Sequence, residues 1–158
     1  MNLWIDNTHD ALLRVLRKVD AVVLNDEEAR MLTGERNLIR AASAVLGLGP
    51  RYVVLKKGEH GAFLMGHDVH FAIPAYPVEN VVDPTGAGDS FAGGLMGFLD
   101  RAGSHDAATF RQAVIMGSTV ASYCCEAFGV DRLLTLTEKD ISDRFHQFAS
   151  MVHFDRLS

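Results

Sequence analysis

Two short apolar runs constrain this chain more than anything else in it. They are AVVL at Ala21–Leu24 and YVVLK at Tyr52–Lys56. Neither alternates polar with apolar residues, so each predicts a buried strand. Helical patterns surround them. Asp10 to Lys18 places Leu12, Leu16 and Val19 on one side, and Asp26 to Thr33 has acids in its first turn and Gly34 at its end. Asn37 to Leu48 reads as another helix, stopped by Gly49 and Pro50. Strands alternating with helices predict an α/β layer structure with a largely parallel sheet.

The rest of the chain continues the pattern. Ala62–Met65 and Val69–Ile73 predict a hairpin around Gly66-His67-Asp68. Pro74 and Pro77 mark an extended crossing to Val81 and Val82. Three helices follow: from about Gly86 to Arg101, from about Asp106 to Glu126, and from Glu138 to His153. The opening MNLWID precedes the first of the predicted helices. One α/β domain over residues 1–158 is expected.

Composition narrows the function classes. A net charge of -5 argues against a general nucleic-acid binder, which needs a basic footprint. No apolar run is long enough to span a bilayer, and the acidic opening does not resemble a signal peptide. The two cysteines, Cys124 and Cys125, are adjacent and poorly placed to bridge each other. They read as helix-packing residues in a reduced, cytoplasmic setting.

The stretch VDPTGAGDSFAGG, Val82–Gly94, is the chemical focus. It opens a helix with Gly86 and Gly88 and places Asp89 in the first turn, and each interior glycine costs about 1 kcal/mol against alanine. A helix start presents unpaired N–H groups and partial positive charge, so Gly86-Ala87-Gly88 offers nearly bare amides to an anion. Asp89 beside them could take a proton from an attacking hydroxyl. A second reading stands next to this one. Asp suits any first turn because of the helix dipole, and small residues also serve close packing. Gly93, Gly94 and Gly97 are expected to admit a close neighbour. The P-loop pattern is absent, and G-x-G-x-x-G fails because Phe91 occupies its last place.

Asn25-x-x-Glu28 has the form of a capping box. It also follows a predicted buried strand, where open α/β sheets bind ligands. Both roles can coexist. Lys56 and Lys57 could reach phosphates or simply end a strand in solvent. His67 and His70 are expected to face solvent rather than hold a metal.

DPTGAGDSFAGG, Asp83–Gly94, resembles the C-terminal signature of the ribokinase-like (PfkB) carbohydrate kinases. LNDEEARMLTG, Leu24–Gly34, is similar to the family's N-x-x-E segment. VVLKKGEHGAFL, Val53–Leu64, is similar to its strand-turn-strand before the nucleotide site, and Asn2 and Trp4 resemble the segment ahead of N-x-x-E.

The resemblance implies a ribokinase-like three-layer α/β/α fold and ATP-dependent transfer of a phosphoryl group to a sugar or nucleoside hydroxyl. It implies Asp89 as the base and the amides of Gly86, Ala87 and Gly88 as the anion hole. Asn25 and Glu28 would help hold Mg2+ and the phosphates through water, and Lys56 would reach the phosphates. Gly58 and Gly61 would let backbone approach the nucleotide. Asp83 and the Thr85 carbonyl would lie near a monovalent-cation site, such as one for K+. The Gly117–Ala121 helix and the loop around Gly129 would flank the adenine.

By the same resemblance the chain is the second, nucleotide-side half of such a kinase, with the sugar-contacting half absent. Self-association or a need for that missing half is expected, because a truncated sheet exposes apolar surface. A non-catalytic nucleotide-binding module and one half of a split kinase are the competing readings.

Overall fold

The computed structural model describes residues 2–155. The side chain of Asn2, one of the residues carrying the resemblance, lies outside that description, as does Met1. The chain divides into two compact units, residues 1–72 and 73–158, where the sequence suggests one domain.

The first unit begins with helices α1 (Asn2–Asn7) and α2 (His9–Leu16). Strand β1 (Ala21–Asn25) leads directly into α3 (Asp26–Thr33), which Gly34 ends in a left-handed turn. Helix α4 (Leu38–Leu46) is capped by Asn37, whose side chain accepts the Ile39 and Arg40 amides. Strand β2 (Tyr52–Lys56), a 3-10 turn (Gly58–His60), β3 (Ala62–Gly66) and β4 (His70–Ile73) complete a sheet of order β1-β2-β3-β4.

The β1–β2 pair is parallel, with Asn25 opposite Lys56. The β2–β3 pair is antiparallel, so the described sheet is mixed. Val53, Val54 and Leu55 are fully buried on successive, opposite faces, as the unbroken apolar run predicts. Leu24, Ala29, Leu32, Ala41, Val45 and Val53 form the centre of this unit's core. Each large aliphatic side chain so buried contributes about 1.5–3 kcal/mol.

The second unit holds α5 (Ala87–Ala102), α6 (Ala107–Cys124), the short α7 (Asp131–Leu134) and α8 (Glu138–Met151). Asp106 caps α6 by accepting the Thr109 amide at 2.8 Å. Thr137 and Asp140 form a capping box on α8. Phe91, Leu95 and Leu99 carry the buried stripe of α5, and Phe110 and Val114 that of α6.

Helices α5 and α6 approach closely because both are glycine at the crossing. A Cβ on Gly117 would stand 2.7 Å from the Phe91 carbonyl oxygen, and one on Gly94 would meet Val120 at 2.9 Å. Gly94 therefore admits a close neighbour, as expected. Gly93 and Gly97 do not, since nothing lies within 4 Å of a Cβ at either position. They face outward from α5, and that expectation is corrected.

Candidate functional site

In the first unit, the end of β1 and the start of α3 are tied together. The Glu28 amide donates to Asn25 Oδ1 at 2.7 Å, and the Asn25 amide donates to Glu28 Oε2 at 2.9 Å. N-x-x-E is thus a complete capping box, which closes two of the amides a helix start leaves open. Burial pushes the Glu28 carboxyl up, but hydrogen bonds, including that from the Asn25 amide, and the nearby Lys56 charge hold it below its ordinary value. It stays anionic at neutral pH. Lys56 is half-buried at the matching end of β2. Asn25, Glu28 and Lys56 are therefore brought to one end of the parallel pair, the end where such sheets take ligands. Gly58 and Gly61 adopt φ of 55° and 84° in the turn that follows. The Lys57 amide donates to the Gly61 carbonyl at 2.8 Å and closes that turn.

In the second unit, the loop before α5 is held by the far end of α6. The Val82 and Asp83 amides donate to the Cys125 carbonyl at 2.8 and 3.4 Å. The Asp83 carboxylate accepts the Thr85 amide at 2.9 Å. That bond, the Thr85 hydroxyl and the Gly129 amide hold the Asp83 carboxyl below its ordinary value. The Cys124 thiol, buried, points at the carbonyls of Thr85 and Gly129, 3.5 and 3.7 Å away. Asp83, Thr85 and Gly129 are thus brought together.

Gly86 is the N-cap of α5, at φ 83° and with no side-chain cap. The helix start is open: Gly86 and Asp89 are exposed, and Ala87 and Gly88 are half-buried. The Ala87 N–H donates to the Pro84 carbonyl at 3.1 Å. The arrangement can receive an anion on α5's first turn with a carboxylate beside it.

Gly117 is placed differently from the expectation. It is buried against Phe91, so it sets the α5–α6 distance and presents no surface to a ligand. Sequence reasoning also missed part of the support. Cys124 does pack, but its thiol also contacts the loop 39 residues earlier. Burial, then Cys124, push the Cys125 thiol up, so it remains a protonated packing group. Arg132 and Arg144 converge on Glu126, three residues before Gly129, and no local pattern announces them.

Among the described residues no three His, Cys, Asp or Glu side chains gather to hold a metal by themselves. A divalent ion at Asn25 and Glu28 would need water or phosphate oxygens to complete its shell. Among the described residues no helix is long and apolar enough to cross a membrane.

An N-x-x-E box at a strand end in the first unit and a glycine-capped helix start in the second are features of the ribokinase type of α/β fold. The chain matches the pfkB family carbohydrate kinases over residues 2–136, and it belongs to that family. It is 39% identical over 95 residues to a cytidine kinase of Thermococcus kodakarensis, covering 58% of this chain and 34% of that one. It is 34% identical over 110 residues to a fructokinase of Klebsiella pneumoniae, covering 66% and 35%.

Among solved structures, it is similar to the aminoimidazole riboside kinase of Salmonella enterica complexed with aminoimidazole riboside and an ATP analog. There the TM-score is 0.79 at 26% identity, with 89% of this chain and 46% of that one covered. A putative ribokinase II of E. coli in complex with ATP and Mg2+ gives 0.74 at 28%, with 92% and 45% covered. The chain spans less than half the length of these relatives.

Proposed function

We propose that this chain supplies the nucleotide-side machinery of an ATP-dependent kinase acting on a hydroxyl of a sugar or nucleoside. The observation that carries this is the start of α5: a glycine in the left-handed region where a capping side chain would normally stand, with Asp89 exposed one turn in. ATP, when bound, supplies the phosphoryl group. The amides of Gly86, Ala87 and Gly88 receive its charge, with Ala87 exchanging its bond to Pro84 for the ligand. Asp89 accepts the proton of the attacking hydroxyl. Asn25 and Glu28 orient Mg2+ through water, and Lys56 neutralises phosphate charge. Asp83, ionised, and the Thr85 carbonyl suit a monovalent cation such as K+. Gly58 and Gly61 bring backbone to the nucleotide, and the Gly129 loop flanks its base. The kinds of substrate named for the relatives support the acceptor class.

A second reading is a nucleotide-binding half that works with a complementary sugar-binding half and self-associates without it. The test is Asp89→Asn, assayed over a panel of sugars and nucleosides, with the complementary half of a relative supplied where the chain alone is inactive. Turnover falls by roughly 10²–10⁴ while MgADP binding persists. Near-normal turnover in that variant removes the base assignment.

A further inference from the structure

We propose that Glu126 is a positioning residue: its carboxylate clamps the neck of the loop 127–131 and so holds Gly129 against the Asp83 loop. Both oxygens are engaged. Oε1 accepts from Arg144 Nη2 at 2.6 Å, and Oε2 lies 3.4 Å from Arg132 Nε. The group is sheltered, with Arg144, Glu126 and Arg132 side chains 15%, 26% and 31% exposed. Arg144 is itself fixed from α8. Its Nη1 donates to Ser122 Oγ at 3.0 Å, and its guanidinium lies 3.4 Å from the Tyr123 ring centroid and 4.7 Å from that of Tyr76. Arg132 crosses the same Tyr123 ring at 5.0 Å. The Glu126–Arg132 contact spans six residues and closes the loop between them.

The apolar side chains at the tip are not packed. Phe128 and Val130, on either side of Gly129, are 70% and 57% exposed. A loop without a packed side chain at its tip takes its direction from its neck. At the tip, the Gly129 amide acts on the Asp83 carboxylate, and the Gly129 carbonyl faces the Cys124 thiol. A sheltered ion pair adds little net stability over an apolar replacement, but it fixes geometry. Here it fixes a loop that would otherwise swing. This inference rests on the reading above that the loop flanks the base of a nucleotide. It adds that the acceptance of that base depends on Glu126.

The experiment compares the unsubstituted chain with Glu126→Gln, Arg132→Gln and the double variant. Amide hydrogen exchange at residues 127–131 is read against the interior of α6, and affinities are read for MgADP and for magnesium tripolyphosphate. With Glu126→Gln, loop exchange accelerates and the MgADP dissociation constant rises, each by about 3–10-fold, as expected for loss of a charge-assisted contact. Tripolyphosphate affinity changes by less than about twofold, and the double variant adds little to either single one. Unchanged loop exchange, unchanged MgADP affinity or an equal loss for both ligands overturns the proposal. If Glu126→Gln does not fold, Arg132→Gln carries the same comparison. Absence of MgADP binding in the unsubstituted chain removes the nucleotide reading instead, and the exchange comparison still decides whether the clamp holds the loop.

Discussion

Two helix starts in this molecule are built in opposite ways. The start of α3 is closed: Asn25 and Glu28 exchange two hydrogen bonds, and three acids crowd its first turn. The start of α5 is left open: Gly86 caps it with no side chain, and its one first-turn acid, Asp89, is exposed. A closed start stabilises its own helix by about 1 kcal/mol. An open one forgoes that stabilisation, and a helix start without a side-chain cap suits an anion. The difference separates a helix start tied off by its own side chains from one left without a side-chain cap, and substitutions can show what each does.

The largest expected effect is on turnover. Asp89→Asn loses the roughly 10²–10⁴-fold given above, yet urea melts should move by less than about 0.5 kcal/mol, as for an exposed residue. A large stability loss would mean that α5's start is structural after all. Gly117→Ala should then cost about 1–3 kcal/mol, because its methyl would drive into the Phe91 carbonyl and part α5 from α6. A neutral result in the same melts would show that the helices can slide.

Gly86→Ala should cost about 1–2 kcal/mol from its left-handed backbone alone, since only the Cys124 sulphur lies within 4 Å of the added carbon. It should weaken phosphate binding as well. Asn25→Ala should cost about 1 kcal/mol through loss of the cap. It should also weaken MgADP binding, and a variant that left both the melt and that affinity unchanged would remove both roles of Asn25.

The smallest effect is in acid. Asp83 and Asp106 are held below the ordinary 3.8 chiefly by the Thr85 and Thr109 amides, and Asp140 chiefly by the Thr137 hydroxyl. Their contribution is complete above that value and lost as pH falls through the lowered ones. Thermal stability should therefore be flat near neutrality and decline below about pH 4. Asp106→Asn, which keeps an acceptor for the cap, should make that decline shallower. An unchanged acid profile would remove Asp106 from the account.

Much of this was legible locally. The Asn25–Glu28 box, the apolar run of β2 and the α3 stop at Gly34 each depend on residues within a few positions, and the sequence states them outright. Short elements were not legible. Helix α7, of four residues, has no side-chain cap, and neither it nor the six-residue α1 is long enough for a sustained periodic stripe. They exist because their neighbours hold them. The antiparallel β2–β3 pairing was implicit in a turn centred on Gly58 and Gly61, but not in the apolar pattern of either strand.

At the site, the glycines and Asp89 stood out because they violate helix preference. Their support did not. Cys124 meets Thr85 across 39 residues, and Arg144 meets Glu126 across 18. Contacts of that range come from packing rather than from spacing. Gly117 shows the reverse case, a site expectation that turned out to be a helix crossing.

The central claim is that the first turn of α5 is where phosphate binds. Amide NMR of the 158-residue chain during an MgADP titration tests it most directly. The account predicts that the amides of Gly86, Ala87 and Gly88 shift most, together, and saturate with one dissociation constant. Saturable binding that leaves those three amides unmoved would contradict it.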